Sequence, residues 1–299
     1  MSRAHEMRKR SEAGAEILRA VDAELEQPVG STMGSIPFSA MEEGLPLNMR
    51  SPLDSEVSET LDPMLAGFQV RPWNPDSETM ISFAGAQPSR GAEEMRTLRS
   101  QLYRLRDKQP IKSLLLTSAL PKEGRSFVAV NLANVMALQP RCRVLLIDAD
   151  LRGPRLHSVL GTSRTPGLSE YLSQEADEFS IMQRGAADEL FFIPAGRSVP
   201  GPTELLATGR LKSLIDRCES LFDWIIIDSP ATLPVSDASL IANSCDGVLI
   251  VVRSDSTPFD VVRQARERFR PESLVGVVLN GIEAKSSPAG HYPYGSSQV

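Results

Sequence analysis

Short runs of Val, Ile and Leu recur along the chain from residue 113 onward, at residues 113–118, 143–147, 190–193, 224–228, 248–252 and 275–279. They do not alternate with polar residues, which predicts strands buried on both faces rather than strands with one wet face. The stretches between them change to a helical period. In 93–105, Met95, Leu98, Leu102 and Leu105 share one face, and 126–138, 203–221, 235–244 and 258–270 are also predicted helices, with Thr203 as an N-cap. Strands alternating with helices predict an α/β fold, with a mostly parallel central sheet and helices on both faces. Ligands of such sheets bind at the carboxyl ends of the strands.

The first part of the chain reads differently. Residues 6–26 form a predicted helix on which Ile17, Val21 and Leu25 recur every four positions. Residues 27–85 carry seven prolines and no sustained period, the mark of a linker or largely disordered arm, with Trp73 and Phe83 as candidate local anchors. The resulting division is an N-terminal helix at 1–26, an acidic Pro-rich linker at 27–86, the α/β domain at 87–284, and a flexible Ser/Gly/Pro-rich tail at 285–299.

Charge sharpens this division. The chain has 299 residues and a net charge of −6, and residues 41–80 alone hold eight acids and two bases. The remainder is therefore neutral, which argues against a nucleic-acid partner. No run is long and apolar enough to span a bilayer, and Met1 to Arg10 lack the apolar core of a signal peptide. Cys142, Cys218 and Cys245 have no paired spacing, so reduced thiols in a cytoplasmic protein are expected.

The candidate chemistry sits at three strand ends. After the first strand comes Ala119-Leu120-Pro121-Lys122-Glu123-Gly124-Arg125-Ser126-Phe127, the outline of a phosphate-binding loop with Ala119 in place of its first Gly and Arg125 in place of its Lys. Such a loop turns backbone N–H groups and a helix N-terminus toward phosphate, and its hydroxyl ligates Mg²⁺. The second strand ends Asp148-Ala149-Asp150-Leu151-Arg152 and the fourth ends Asp228-Ser229-Pro230. Acids facing a phosphate loop are natural magnesium ligands and proton acceptors.

Together these segments resemble the bacterial tyrosine autokinases of capsule and exopolysaccharide synthesis, relatives of the division-site and partition ATPases with a deviant Walker-type P-loop. The resemblance spans roughly residues 87–282. It implies ATP and Mg²⁺ as ligands, with residues 120–127 wrapping the nucleotide, Ser126, Asp148 and Asp228 around the metal, Arg125, Asp148, Asp150 and Asp228 in the chemistry, and Asn280 at the adenine edge. Glu93-x-x-Arg96-x-x-Arg99 is similar to the family's assembly helix, which implies a homo-oligomer or ring. Gly201-Pro202-Thr203-Glu204-Leu205-Leu206 is similar to another family segment, N-P-x-E-L-L, with Gly-Pro in place of Asn-Pro. Tyr292 and Tyr294 stand where the family carries its phospho-acceptor cluster. A separate membrane-embedded polysaccharide co-polymerase or activator is the implied partner, recruiting the protein to the inner face of the membrane. Two other functions compete: a nucleotide-binding regulatory subunit with little turnover, owing to Arg125 and the thin tail, and a partition-type ATPase. The last class places a second Lys where this chain has Leu120.

Overall fold

The computed structural model describes residues 72–83, 91–185 and 189–282. The expected N-terminal helix, the linker before residue 72, and the tail with Tyr292 and Tyr294 lie outside the described residues. Helix α1 spans Ala92–Arg106, β1 Ser113–Ser118, α2 Arg125–Ala137 and β2 Val144–Asp148. Two short helices, α3 (Leu156–Val159) and α4 (Leu168–Leu172), precede β3 (Gln183–Arg184) and β4 (Leu190–Ile193). Then come α5 (Pro202–Leu206), α6 (Arg210–Cys218), β5 (Trp224–Asp228), α7 (Asp237–Ala242), β6 (Gly247–Arg253), α8 (Phe259–Arg266) and β7 (Leu274–Asn280).

The seven strands form one sheet in the order β3-β4-β2-β5-β1-β6-β7, parallel except for the two-residue β3, which pairs antiparallel with β4. Leu114, Leu116, Val144, Leu146 and Ile226 join α1 and α2 in one core cluster. Their strand neighbours Leu115, Leu145, Ile147, Ile225 and Ile227 point the other way and are equally buried, so the sheet is covered on both faces as its unbroken apolar runs require. Helix α2 is buried on nearly every side, and mostly apolar, because it lies between the sheet and α1.

Three expectations change. The helix expected over 203–221 is two helices, because Gly209 has φ 75°, a left-handed conformation that ends one helix and starts the next. Thr203 is not the cap: Gly201 holds that place with Pro202 at the first helical position, and the Thr203 hydroxyl donates to Asp237 Oδ1 instead (2.7 Å).

The third change concerns the linker, whose end is not loose. Residues 72–83 form a strap across α2 and α3. Trp73 meets Phe192 edge-on at 6.4 Å, and the Asp76 N–H donates to the Val159 carbonyl at 2.8 Å. Buried Asn131 on α2 completes the strap. Its Oδ1 accepts from the Ile81 N–H at 2.7 Å, while its Nδ2 donates to the carbonyls of Thr79 and Phe127. Asn131→Ala leaves the Ile81 N–H buried without a partner, so it should cost about 2 kcal/mol in denaturant unfolding. It should also speed protease cleavage within residues 72–83, as read by mass spectrometry.

Candidate active site

The loop between β1 and α2 turns sharply. Lys122 has φ 69° and Gly124 φ 93°, and a Cβ on Gly124 would lie 1.9 Å from Asn280 Nδ2. The positive φ favours glycine at 124, and an added Cβ would also displace the Asn280 amide. Helix geometry then leaves the N–H groups at the start of α2, from Arg125 to Phe127, without intrahelical acceptors, turned toward any anion held in the loop.

Register brings the acids together. In the β2–β5 pair Asp148 stands directly opposite Asp228, and in the β5–β1 pair Asp228 stands opposite Leu116, at the mouth of the loop. Opposed residues of neighbouring strands present their side chains on the same face. Two carboxylates thus sit side by side out of water, with Asp150 just beyond them. Burial, joined by repulsion from Asp228, pushes Asp148 up to about 8. Burial likewise pushes Asp228 up to about 7, against the pull of Arg125 and a hydrogen bond from Ser126.

Each acid has its own partners. Asp148 Oδ1 accepts from the Asp150 N–H (3.2 Å), and its Oδ2 accepts from the N–H groups of Arg155 and Leu156 at the start of α3. Asp150 Oδ1 accepts from the Gly153 N–H (2.9 Å), while its Oδ2 is ion-paired with the Arg125 guanidinium. Arg125 also donates Nε–H to the Ser229 carbonyl and lies 3.8 Å from Asp228 Oδ1. Asp228 Oδ1 is buried and has no hydrogen-bond partner.

Magnesium fits these residues. Mg²⁺ is held by one or two carboxylates and a hydroxyl, with phosphate oxygens and waters supplying the rest. Asp228 Oδ1, which accepts no hydrogen bond, and the adjacent Ser126 hydroxyl offer that set. Among the described residues no group of three or more His, Cys, Asp or Glu has the arrangement of an all-protein metal cage, and a nucleotide-borne magnesium does not need one.

The other expected residues are distributed as follows. Asn280 is at the site, but its Nδ2 donates to the Glu123 carbonyl (3.0 Å), so its amide holds the loop backbone. Residues 120–127 form the loop and the first turn of α2 as expected. Glu93, Arg96 and Arg99 lie on α1, away from these strand ends. Arg96 pairs with Glu93 and donates to the Phe83 carbonyl, and Arg99 donates to the Val135 carbonyl (3.0 Å). Both arginines are committed within the chain, and only Glu93 keeps a largely exposed side chain.

Sequence reasoning missed Asp237. Arg152, the arginine two residues beyond Asp150, forms a bidentate pair with buried Asp237 at the start of α7 (2.8 and 3.2 Å) and donates to Thr203 (2.8 Å). Asp237 is 85 residues away from Arg152 and carries no local signal.

These features define a P-loop nucleotide-binding α/β domain. No protein-family model matches the chain. The tyrosine-protein kinase YwqD of Bacillus subtilis is 34% identical over 207 residues, covering 68% of this chain and 87% of the relative. The tyrosine-protein kinase wzc of Salmonella typhimurium is 34% identical over 205 residues, but the match takes in only 28% of its length. Among solved structures, the kinase domain of the Escherichia coli tyrosine kinase ETK superposes with a TM-score of 0.63 at 28% identity, over 78% of this chain and 96% of that one. The chain belongs to the bacterial tyrosine-protein kinase family.

The raised carboxylates give a pH prediction. A carboxyl that titrates higher in the folded than in the unfolded protein stabilises the fold in acid, and that stability is lost as pH rises from its unfolded value near 4 toward its folded value. Without metal, wild type should therefore melt several degrees lower at pH 8 than at pH 6. Asp228→Asn should shrink that gap, as read by thermal melting in EDTA.

Proposed function

We propose that this chain is an ATP-dependent protein-tyrosine autokinase acting in exopolysaccharide or capsule synthesis. The observation that carries the reading is the convergence of one anion cradle with three carboxylates, Asp148, Asp150 and Asp228, at neighbouring strand ends. The likeness to YwqD and to the ETK kinase domain supports it.

In this reading the loop amides and the start of α2 bind the triphosphate. Ser126 and Asp228 hold the magnesium, which when bound neutralises phosphate charge. Asp148 fixes the loop after β2 through the Asp150, Arg155 and Leu156 amides, which aims Asp150. Arg125 turns from Asp150 toward the phosphates as nucleotide enters, and this frees Asp150 to accept a proton. The tyrosine oxygen attacks the γ-phosphorus, its proton passes to Asp150, and the bond from the γ-phosphorus to the bridging oxygen breaks as ADP leaves. Tyr292 and Tyr294 of another copy are the acceptors, and Asn280 lies beside the bound nucleotide. Self-association through the outer face of α1 uses Glu93 more than the arginines, and a separate membrane-embedded protein recruits the kinase to the inner face of the membrane. Among the described residues no helix is long and apolar enough to cross a membrane.

Purified protein incubated with γ-labelled ATP and Mg²⁺ should carry label on Tyr292 or Tyr294. Phosphate release without labelled protein would instead support a partition-type ATPase, and nucleotide retention with neither would support a regulatory subunit. Asp150→Asn should lower transfer by roughly 10²- to 10⁴-fold with nucleotide affinity kept.

Arg125→Lys should raise autophosphorylation several-fold while lowering the melting temperature of the ligand-free protein. Lys has no fork with which to hold Asp150 and the Ser229 carbonyl together. An unchanged rate would mean that Arg125 leaves Asp150 without cost.

A further inference from the structure

Glu123 lies inside the phosphate loop, between Lys122 and Gly124, yet its side chain does not face the cradle. It is 3% exposed. Its Oε2 accepts from the Leu120 N–H at 2.6 Å, which closes the loop across its own turn. Its Oε1 accepts from the Thr257 hydroxyl, just before α8, with the Arg253 N–H at 3.5 Å. Its backbone carbonyl accepts from Asn280 Nδ2 at the end of β7. One residue thus ties the loop to itself, to the β6–α8 turn and to the last strand.

A carboxylate in a loop built to receive a triphosphate is electrostatically adverse, since like charges at short range repel. The loop keeps it because the acid does structural work that a neutral apolar side chain cannot do. It takes up one backbone donor and one hydroxyl that would otherwise be buried or wander. A loop held in its bound shape before ligand arrives loses less conformational freedom on binding.

We infer that Glu123 is a positioning residue, latched to Thr257, that presets the phosphate loop for the nucleotide. The inference rests on the nucleotide-binding reading above and adds a role for the Glu123 and Thr257 side chains. The latch does not touch the transferred group. Its loss should therefore appear in nucleotide affinity, and as a raised KM for ATP with kcat little changed.

The test measures Mg²⁺-ATP binding by calorimetry and steady-state autophosphorylation, using the full chain. Glu123→Ala and Thr257→Val should each weaken binding about tenfold, and the double variant should be no weaker than the worse single one, because both remove the same latch. Glu123→Gln, which can still accept from the Leu120 N–H and donate to the Thr257 oxygen, should bind within about threefold of wild type. Thr257→Ser, which keeps the hydroxyl, should do the same. Binding by Glu123→Ala and Thr257→Val equal to wild type overturns the latch, as do fully additive losses or a failure of both conservative variants to rescue. Should Glu123→Ala fail to fold, the near-isosteric Thr257→Val and the Thr257→Ser variant decide by the same criteria. Absence of any Mg²⁺-ATP affinity in wild type overturns the functional reading itself, and so is distinct from failure of the latch.

Discussion

The register between β2 and β5 is the constraint on which the site depends. Once those two strands pair in parallel with Leu146 opposite Ile226, Asp148 must stand opposite Asp228. A one-residue slip would still leave apolar side chains on both buried faces of β5, but it would turn Asp228 away from Asp148 and from the loop, so the register itself brings the carboxylates together. The arrangement is costly without a counter-charge, because two adjacent buried acids cannot both ionise freely. The chain answers with backbone amides at Asp148 and with the Arg125 guanidinium between Asp150 and Asp228.

That placement of Arg125 gives the exchange of Lys for Arg in the loop a physical meaning. A lysine in this place is a compact point charge suited to the outer phosphates. The longer, forked arginine reaches across the cradle to Asp150 and the Ser229 carbonyl, and so stands where added cationic charge is needed when no nucleotide is bound.

Much of this was legible in the chain. The strands were marked by unbroken Val/Ile/Leu runs, and the loop and the three acids by their place at strand ends. What escaped was set by contacts distant in sequence or by single backbone conformations. Gly209 splits a helix that periodicity draws as continuous, because a left-handed φ leaves no mark on the apolar pattern. The strap over 72–83 looked like linker because its proline-rich sequence has no period. What orders it lies far along the chain: Phe192 against Trp73, the Val159 carbonyl on the Asp76 N–H, and buried Asn131, 50 residues beyond Ile81. Asp237 and Thr257 matter only through partners 85 and 134 residues away, and neither belongs to a spacing motif. On α1 the spacing Glu93-x-x-Arg96-x-x-Arg99 is visible in the chain, but the intrachain bonds of its two arginines to the Phe83 and Val135 carbonyls are not, because those carbonyls belong to other segments.

The buried acids tie these observations together. Among the described residues they are Glu123, Asp148, Asp150, Asp228 and Asp237, and all five lie at the carboxyl end of the sheet. Four are answered within the chain. Glu123 has an amide and a hydroxyl, Asp148 three amides, Asp150 an amide and a guanidinium, and Asp237 a guanidinium and a hydroxyl. Asp228 alone keeps one oxygen without a hydrogen bond, next to the hydroxyl of Ser126. Buried acceptors are rarely left in that state, because the missing partner costs free energy that folding does not recover. That oxygen faces the Arg125 Nε at 3.8 Å and sits with the Ser126 hydroxyl at the mouth of the phosphate loop, a donor set of the kind that suits a divalent cation carried by a nucleotide.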